Sequence, residues 1–486
     1  MASEIKSYAG VETPSFLIVE RVTPQTLPPA RVNSMNIPMK NGEMFLNKTL
    51  GIRTFVADVA IKVPKDRTLL EMMDDLADWL DYDEPQKFIL RDKPNIYYMA
   101  IVESSTDIER FSSSGKGQIT FVCYDPHGYG ADKQYVYEGN QEDPTTMVNN
   151  EGNKETAPIM SMRFVKDVTD FAVTTDNNML YFGEPFDEEV NVIKDLKPKH
   201  VYREMDSFDG WTSGVSVDGG SVVGEFETNN RSFRQSGKDY GEGTKWHGAS
   251  MIHSIGAEIQ DFTAHVHIGF RATNKDQKGR VELYLLDIDG NKIGKVALVD
   301  NYTSGDFPKF EARAGSYQEG HYFVNDFGRT KDYFSQFYGR MEISRKGNEW
   351  EASIRYWDSD KERYTKKLEG SWIDQSDTYS KGLAAVQIHI GAYDDRAPTD
   401  DMFIWRTTVW EHLTFEENSI DFVFRVDDDL IIDNDKGEIY LNGEEFYDRL
   451  YPSSTFLMLD KGLNGIAVSD TDAITDCVIN FKERWK

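Results

Sequence analysis

The apolar pattern of this chain is helical in one clear place and strand-like almost everywhere else. Leu69, Met72, Met73, Leu76 and Leu80 recur at three- and four-residue intervals and predict one amphipathic helix. Thr68 is its expected N-cap, and Glu71 three residues on completes a capping box. The stretch Asp81-Tyr-Asp-Glu-Pro85 stops it. Around it lie strand patterns at 54–63, closed by Pro64, and at 87–91, 97–102 and 118–124, separated by Pro94 and by a turn cluster at 112–117. This first part reads as an α+β module.

The closing stretch reads as short strands with turn residues between them, at 429–433, 437–443, 456–459 and 462–466. Such strands need partners, and the nearest compatible β-rich segment lies far upstream, at 158–183. The interval between them holds seven of the nine tryptophans and reads throughout as strands, for example at 262–270, 281–286, 339–344, 350–356 and 384–390. Turn signals every ten residues or so mark a sandwich or jelly roll. Asp287-Ile-Asp-Gly-Asn291 and Arg345-Lys-Gly-Asn348 suit tight hairpins. One domain has been opened to admit another. Insertion of this kind is physically cheap, because the termini of a sandwich often lie close together and the host loses only a surface loop. The predicted division is 1–145 for an N-terminal domain, 146–184 with 416–486 for a split C-terminal domain, and 185–415 for an inserted β-sandwich. The fold class is mainly β, and it requires the closing strands to share a sheet with 158–183.

Composition narrows the function classes. A formal charge of −29 over 486 residues, with no basic stripe, argues against sequence-specific nucleic acid binding. Cys123 and Cys477 are the only cysteines and each sits in an apolar strand-like stretch, which predicts buried thiols and excludes a disulfide framework or thiolate metal cage. No apolar run approaches bilayer length, and Glu4, Lys6 and Glu20 interrupt the N-terminal apolar pieces, so neither secretion nor membrane insertion is expected. No nucleophile elbow, phosphate loop or thiolate signature is present.

An ordered series of motifs carries a family resemblance. Gly51-Ile-Arg53, a strand, a helix ending in Trp79-Leu80, Asp92-Lys-Pro94, Tyr98-Met-Ala100 and Phe121-Val-Cys-Tyr-Asp-Pro126 resemble the N-terminal domain of the distal tail (Dit) proteins of long non-contractile-tailed bacteriophages. Asn150, Gly152, Thr156-Ala-Pro158, Asp429-Leu-Ile-Ile-Asp433, Leu441-Asn-Gly443, Gly462-Leu-Asn464 and Arg484-Trp485 are similar to the family's galectin-like C-terminal sandwich. The matches cover roughly the first 180 and last 70 residues. The interval between them resembles the concanavalin-like, jelly-roll or carbohydrate-binding modules of enlarged members. The resemblance implies a homo-hexameric ring at the distal end of the virion tail, joined to the tail tube protein, a tail-associated lysin or tail-tip protein and receptor-binding proteins. For ring contacts, the strands around Met35 to Phe45 and at 54–63 are candidates by edge pairing between subunits, with pairing inside one subunit the equal alternative. The negative charge would let such a tube pass DNA without holding it.

For the insert the expected ligand is host cell-wall saccharide. Sugar rings stack on aromatic faces while Asp, Asn and Gln bond their hydroxyls. Weak sites repeated on a ring gain avidity of roughly 10²-fold or more. Trp246, in the loop 241–248, and Trp357 with Asp358 are the candidates, although tryptophans in a sandwich more often pack cores. His265 and His267 share one strand face and, with His389 and Glu282, form a candidate divalent-metal site. Asp287, Asp289 and Asn291 imitate the start of a calcium loop without its later bidentate Glu, so a hairpin turn is the simpler reading and calcium the only cofactor considered. The cluster Asp427-Asp-Asp429 reads as a solvated strand start. A non-enzymatic role is expected; the alternatives are a glycoside hydrolase, which needs two carboxylates flanking the scissile bond, and a docking or spacer domain for another virion protein.

Overall fold

The computed structural model describes residues 4–24, 27–103, 116–187, 189–302, 304–416 and 418–486, so residues 112–115 of the turn cluster lie outside the described residues. Three large hydrophobic cores share no residue: one drawn from Ile5 to Cys123, one from Val148–Phe182 together with Val423–Phe481, and one from Val201 to Val409.

In the first, strand Arg53–Ile61 realises its alternation residue by residue, with Phe55, Ala57, Val59 and Ile61 buried, and pairs with Leu17–Pro24 and Lys116–Cys123. Helix Leu69–Leu80 covers this core. The Thr68 hydroxyl accepts from the Glu71 amide (3.3 Å) and the Glu71 carboxylate accepts from the Thr68 amide (2.7 Å), the predicted capping box. Its buried face is Met72, Leu76 and Trp79, and the Trp79 ring meets Tyr8 edge-on at 5.9 Å. Cys123 and Cys477 are buried thiols, and burial pushes both up to about 12. The residues around Met35 to Phe45 form a separate two-stranded hairpin, Ala30–Asn36 with Glu43–Leu50, whose side chains are exposed on both faces.

The second core is closed by chain segments from opposite sides of the insert. Strand Ile159–Phe164 lies between Asp429–Asp433 and Ile474–Trp485, antiparallel to both. Strand Gly462–Val468 lies between Thr145–Asn150 and Asp170–Thr174. The closing strands therefore share both sheets with the upstream segment, as the pattern demanded. Residues 456–459 make only an isolated bridge, Leu459 to Thr156. Strand Gly128–Val136 also pairs with Ile474–Trp485, so the chain joins the C-terminal sheet ahead of residue 145. Asn150 ties the seam: its amide nitrogen donates to the carbonyls of Lys154 (2.9 Å), Leu459 (3.2 Å) and Asp460 (3.3 Å), and its oxygen accepts from the Gly152 amide (3.0 Å).

The third core fills a two-sheet sandwich. The front sheet runs Phe226–Thr228, Phe233–Gln235, Asp401–Glu411, Phe262–Arg271, Phe337–Lys346, Glu349–Asp358 and Arg363–Ile373, with Lys199–Arg203 also on Asp401–Glu411. The back sheet runs Trp211–Ser213, Ser250–Ile259, Leu383–Tyr393, Gly279–Leu286, Lys292–Asp300, Lys309–Ala314 and His321–Asp326. The two predicted hairpins are turns between successive strands of these sheets, with Gly290 (φ +79°) and Gly347 (φ +58°) at the left-handed positions such turns require. The inbound and outbound segments of the insert run side by side: Val192–Ile193 pairs with Ser419–Ile420, and the Glu411 amide donates to the Pro198 carbonyl (3.0 Å).

Asn150→Ala removes a side chain that satisfies four backbone groups, two of them, at Leu459 and Asp460, across the seam. We expect a loss of roughly 2–4 kcal/mol in the unfolding transition of the C-terminal sandwich, measured by denaturant titration, with the N-terminal transition unmoved.

Candidate functional site

The outer face of the front sheet carries the most distinctive chemistry. Strand Phe262–Arg271 alternates, sending Phe262, Ala264, Val266, Ile268 and Phe270 into the sandwich core. Thr263, His265 and His267 face the other way and are nonetheless buried. Side chains of the neighbouring strand and its end bury them, His412 at Thr263, Trp410 at His265 and Trp405 at His267, and the C-terminal domain overlies this face, leaving a cleft of about 870 Å³ between the two. From the sheet side it is lined by Tyr202, His265, His267, Tyr338, Arg340, Trp357, Tyr364, Trp405, Arg406, Thr408 and Trp410; from the host side by Ser161, Met162, Arg163, residues 426–431, Asn442 and Gly443. A second hollow of about 420 Å³ continues along the same sheet, lined by Glu342, Ser344, Glu351, Ser353 and Arg355 among others.

The aromatic groups touch one another. Tyr338 and Trp405 stack at 5.7 Å, His267 lies 4.3 Å from Trp405, and His265 meets Trp410 edge-on at 4.5 Å. Neither ring nitrogen of His265 has a hydrogen-bond partner, and the same holds for Trp405 Nε1 and Thr408 Oγ1. A buried polar atom without a partner costs roughly 1–3 kcal/mol, so four in one cleft mark a surface suited to a hydroxyl-bearing occupant. Burial pushes His265 down to about 3 and His267 well below its usual range, which keeps both imidazoles neutral at pH 7. Burial raises the Glu342 carboxyl, but Arg340 beside it more than offsets this and holds it low; its oxygen stands 3.9 Å from His265 Nδ1.

The predicted site residues scatter. Trp357 lies in the cleft, against Tyr364 (5.1 Å) and over Gly443, where a Cβ would sit 2.3 Å from the indole ring. Asp358 next to it closes a turn instead, accepting from the amides of Asp360 (3.1 Å) and Lys361 (3.2 Å). Trp246 is on the back sheet, against Tyr393 (4.7 Å) and under the Arg280 guanidinium (4.7 Å). His265 and His267 are neighbours, as expected, with ring centroids 4.8 Å apart. His389 and Glu282 do not face them: these two sit opposite each other on the back sheet, with the sandwich core between. Glu282 is engaged by Arg280 (2.9 Å) and Lys295 (2.9 Å). Asp287 is consumed by its own turn, accepting from the amides of Asp289 (3.0 Å) and Asn291 (2.7 Å) and pairing with Lys381 (2.7 Å). Among the described residues no three His, Cys, Asp or Glu side chains converge as metal ligands. Asp427, Asp428 and Asp429, read from sequence as a solvated strand start, line the cleft. Sequence reasoning passed over Trp405, Trp410, Tyr338 and Tyr202. The usable signal was the strand Asp401–Glu411 itself: Trp410 pairs with Thr263 at an outer position, while Trp405 is the extra residue at the bulge between the His267–Arg406 and Ile268–Ile404 pairs.

A histidine neutral in the fold but protonated when unfolded favours the unfolded state as pH falls. For His265 that loss begins near the unfolded value of about 6.5 and continues toward the folded value of about 3, at up to about 1.4 kcal/mol per pH unit, with full stability above the window. We expect His265→Gln to flatten the fall in melting temperature between pH 6.5 and 4 relative to the parent protein, read by differential scanning calorimetry.

Comparison with known proteins places the chain. The family described as "Phage tail protein RIFT-related domain" matches residues 7–123, and "Siphovirus-type tail component, C-terminal domain" matches residues 406–485. No curated protein matches the chain. Among solved structures, the CBM2 module of the evolved Dit of Lactobacillus casei BL23 phage J-1 aligns at 16% identity, covering 46% of this chain and 100% of the module, with a TM-score of 0.39. The Dit protein of phage SPP1 aligns at 18% identity over 38% of this chain and 76% of its own, with a TM-score of 0.31. A Bacillus subtilis protein with a galectin-like fold aligns at 11% identity over 46% and 98%, with a TM-score of 0.29. The two family matches lie on either side of most of the inserted sandwich, the second beginning within its strand Asp401–Glu411. Both ends of the chain thus match siphophage-type tail components, as in distal tail (Dit) proteins, with a β-sandwich inserted into the C-terminal domain.

Proposed function

We propose that this protein forms the hexameric hub of a siphophage tail tip and that its inserted module binds host cell-wall saccharide. In this reading the chain divides at 1–145, 146–184 with 416–486, and 185–415. The ring joins the tail tube protein to a tail-associated lysin or tail-tip protein and to receptor-binding proteins at the distal end of the virion tail. One observation carries the saccharide reading: an aromatic cleft whose buried imidazole, indole N–H and hydroxyl lack partners. Pyranose rings present C–H faces to aromatic side chains and a ring of hydroxyls that each donate and accept, which is the complement of such a surface.

The ring reading is supported by the hairpin Ala30–Asn36 and Glu43–Leu50. Val32, Met35, Met39, Met44, Phe45 and Leu46 are all exposed on it, Phe45 at 63%. A lone two-stranded hairpin is marginal in water, and so apolar a one calls for a cover. A neighbouring copy supplies that cover, and a head-to-tail contact of this kind closes into a ring.

Two measurements test the reading. The full chain is expected to bind purified cell-wall polysaccharide on a glycan array and in pulldown, with Trp405→Ala weakening it roughly tenfold or more. Release of reducing ends would favour a hydrolase, and no binding a spacer. The double variant Val32→Glu with Phe45→Glu is expected to remain a monomer at concentrations where the parent protein assembles, as read by native mass measurement.

A further inference from the structure

Resting on the saccharide reading, we propose that the binding site is shared between two domains: the module's front sheet is its floor, the C-terminal host domain is its wall, and a neutral pyranose chain is held between them.

The floor is the face that carries His265, 5% exposed and lining the cleft with both nitrogens unpartnered, beside Trp405 and Thr408. The wall is built as firmly. Asp428 accepts from the Asn442 side-chain amide (2.8 Å) and from the Arg425 backbone amide (2.8 Å), while the Asn442 oxygen accepts from the Asp429 amide (3.0 Å). These bonds join the loop 426–429 to the hairpin turn at Asn442 and Gly443, so the two pieces of wall move as one. A latch fixes wall to floor. Glu444 of the host pairs with both Arg340 and Arg355 on the sheet, Arg363 pairs with Glu438 (3.3 Å), and the Tyr364 amide donates to the Gly443 carbonyl (3.1 Å). Trp357 rests on Gly443, whose φ of +82° and lack of a side chain let the indole approach. Cleft width is thus set before a ligand arrives, the condition under which binding loses least to reorganisation.

The charge pattern identifies the ligand class. Arg163, Arg340 and Arg406 line the cleft, yet each already pairs with a carboxylate: Asp429, Glu444 and Glu204. Lys199, the fourth cation of the lining, stands among Asp427, Asp428 and Asp476 and acts on the Asp428 carboxylate, so acidic groups outweigh the cations left for a ligand, which disfavours a phosphate or uronate polymer. Neutral imidazoles, an indole N–H and a threonine hydroxyl instead match the mixed donor and acceptor character of unmodified sugar hydroxyls. Glu444 touches no ligand in this arrangement; it is a positioning residue.

The test uses the full chain, titrated calorimetrically with neutral hexose and N-acetylhexosamine oligosaccharides and, separately, with a polyglycerol phosphate. We expect binding to a neutral oligosaccharide, lost in Trp405→Ala and weakened fivefold or more in Asp427→Ala on the wall and in Glu444→Gln at the latch. Hydrogen exchange in the host segment 426–445 is expected to slow on ligand addition in the parent protein. If Trp405→Ala abolishes binding while Asp427→Ala and Glu444→Gln bind within twofold of the parent and segment 426–445 is unprotected, the site belongs to the module alone and the shared site is overturned, with the saccharide reading intact. A preference for the polyglycerol phosphate overturns the ligand class. No binding to any neutral sugar overturns the saccharide reading and the shared site together.

Discussion

The whole architecture depends on strand Ile159–Phe164 finding partners on both edges from beyond the insert. Asp429–Asp433 lies on one edge and Ile474–Trp485 on the other, so a central strand of the C-terminal domain is laid down long before either neighbour. Contacts of such sequence separation form only after a large loop has closed, and loop closure grows costly slowly with length. The insert shortens that effective loop. Its inbound and outbound segments lie side by side, in parallel, at Val192–Ile193 and Ser419–Ile420, so a folded sandwich holds the two connections to the host close together.

A second consequence is the overlay of one domain on the other. A free sandwich of this kind would show alternation in burial along each strand, core-facing residues in and outer residues out. Phe262–Phe270 instead is buried at every position. The outer positions are covered by side chains of the neighbouring strand and its end, His412, Trp410, Trp405 and Phe403, and the host stands above them across the cleft, held there by the Glu444 pairings with Arg340 and Arg355. The back sheet reaches continuous burial differently. Gly279–Leu286 is buried throughout, but its outer positions carry Arg280, Glu282 and Tyr284: Glu282 pairs with Arg280 and Lys295, the Tyr284 hydroxyl donates to Glu282, and Arg280 donates to the carbonyl of Asp218, whose carboxylate pairs with Lys292 and Arg313. Charges so enclosed are paired within the module, and breaking any one pair would strand its partner away from water. One outer face is thus closed upon itself, while the other lines a cleft.

Much of this was legible in the chain, for identifiable reasons. The capping box at Thr68 and Glu71, the glycines of the two hairpins and the alternation of Arg53–Ile61 are local signals, and local signals survive into the fold. The split of the C-terminal domain was legible because strands 429–433 and 462–466 had no partner in sequence. The site was legible only in part. Period-two alternation tells which residues share a face of a strand, as for His265 and His267, but not to which sheet the strand belongs. His389 was therefore set against the wrong sheet. Trp357 was chosen for a strand end and proved to line the cleft, whereas Asp358 beside it was taken by its own turn. Trp405 and Trp410 carry no local mark at all; their meaning arises from the neighbouring strand and from a domain whose sequence lies elsewhere.

Rigid attachment bears on how such a hub would act in the proposed ring. A module on a flexible tether samples many orientations, and its second and third contacts gain from effective concentration over a broad range of receptor spacings. A clamped module gives that breadth up. The Glu444 pairings, the Gly443 contact with Trp357 and the paired segments at 192–193 and 419–420 leave few soft joints between module and host. Six clefts would then stand at fixed angles, and multivalent gain would be large for a surface whose saccharides lie at the matching spacing and small for any other. Discrimination between cell walls would come from the geometry of the array as much as from the chemistry of one cleft. Modest affinity at each site is then an advantage, since mismatched surfaces release quickly while a matched one is held through several clefts together.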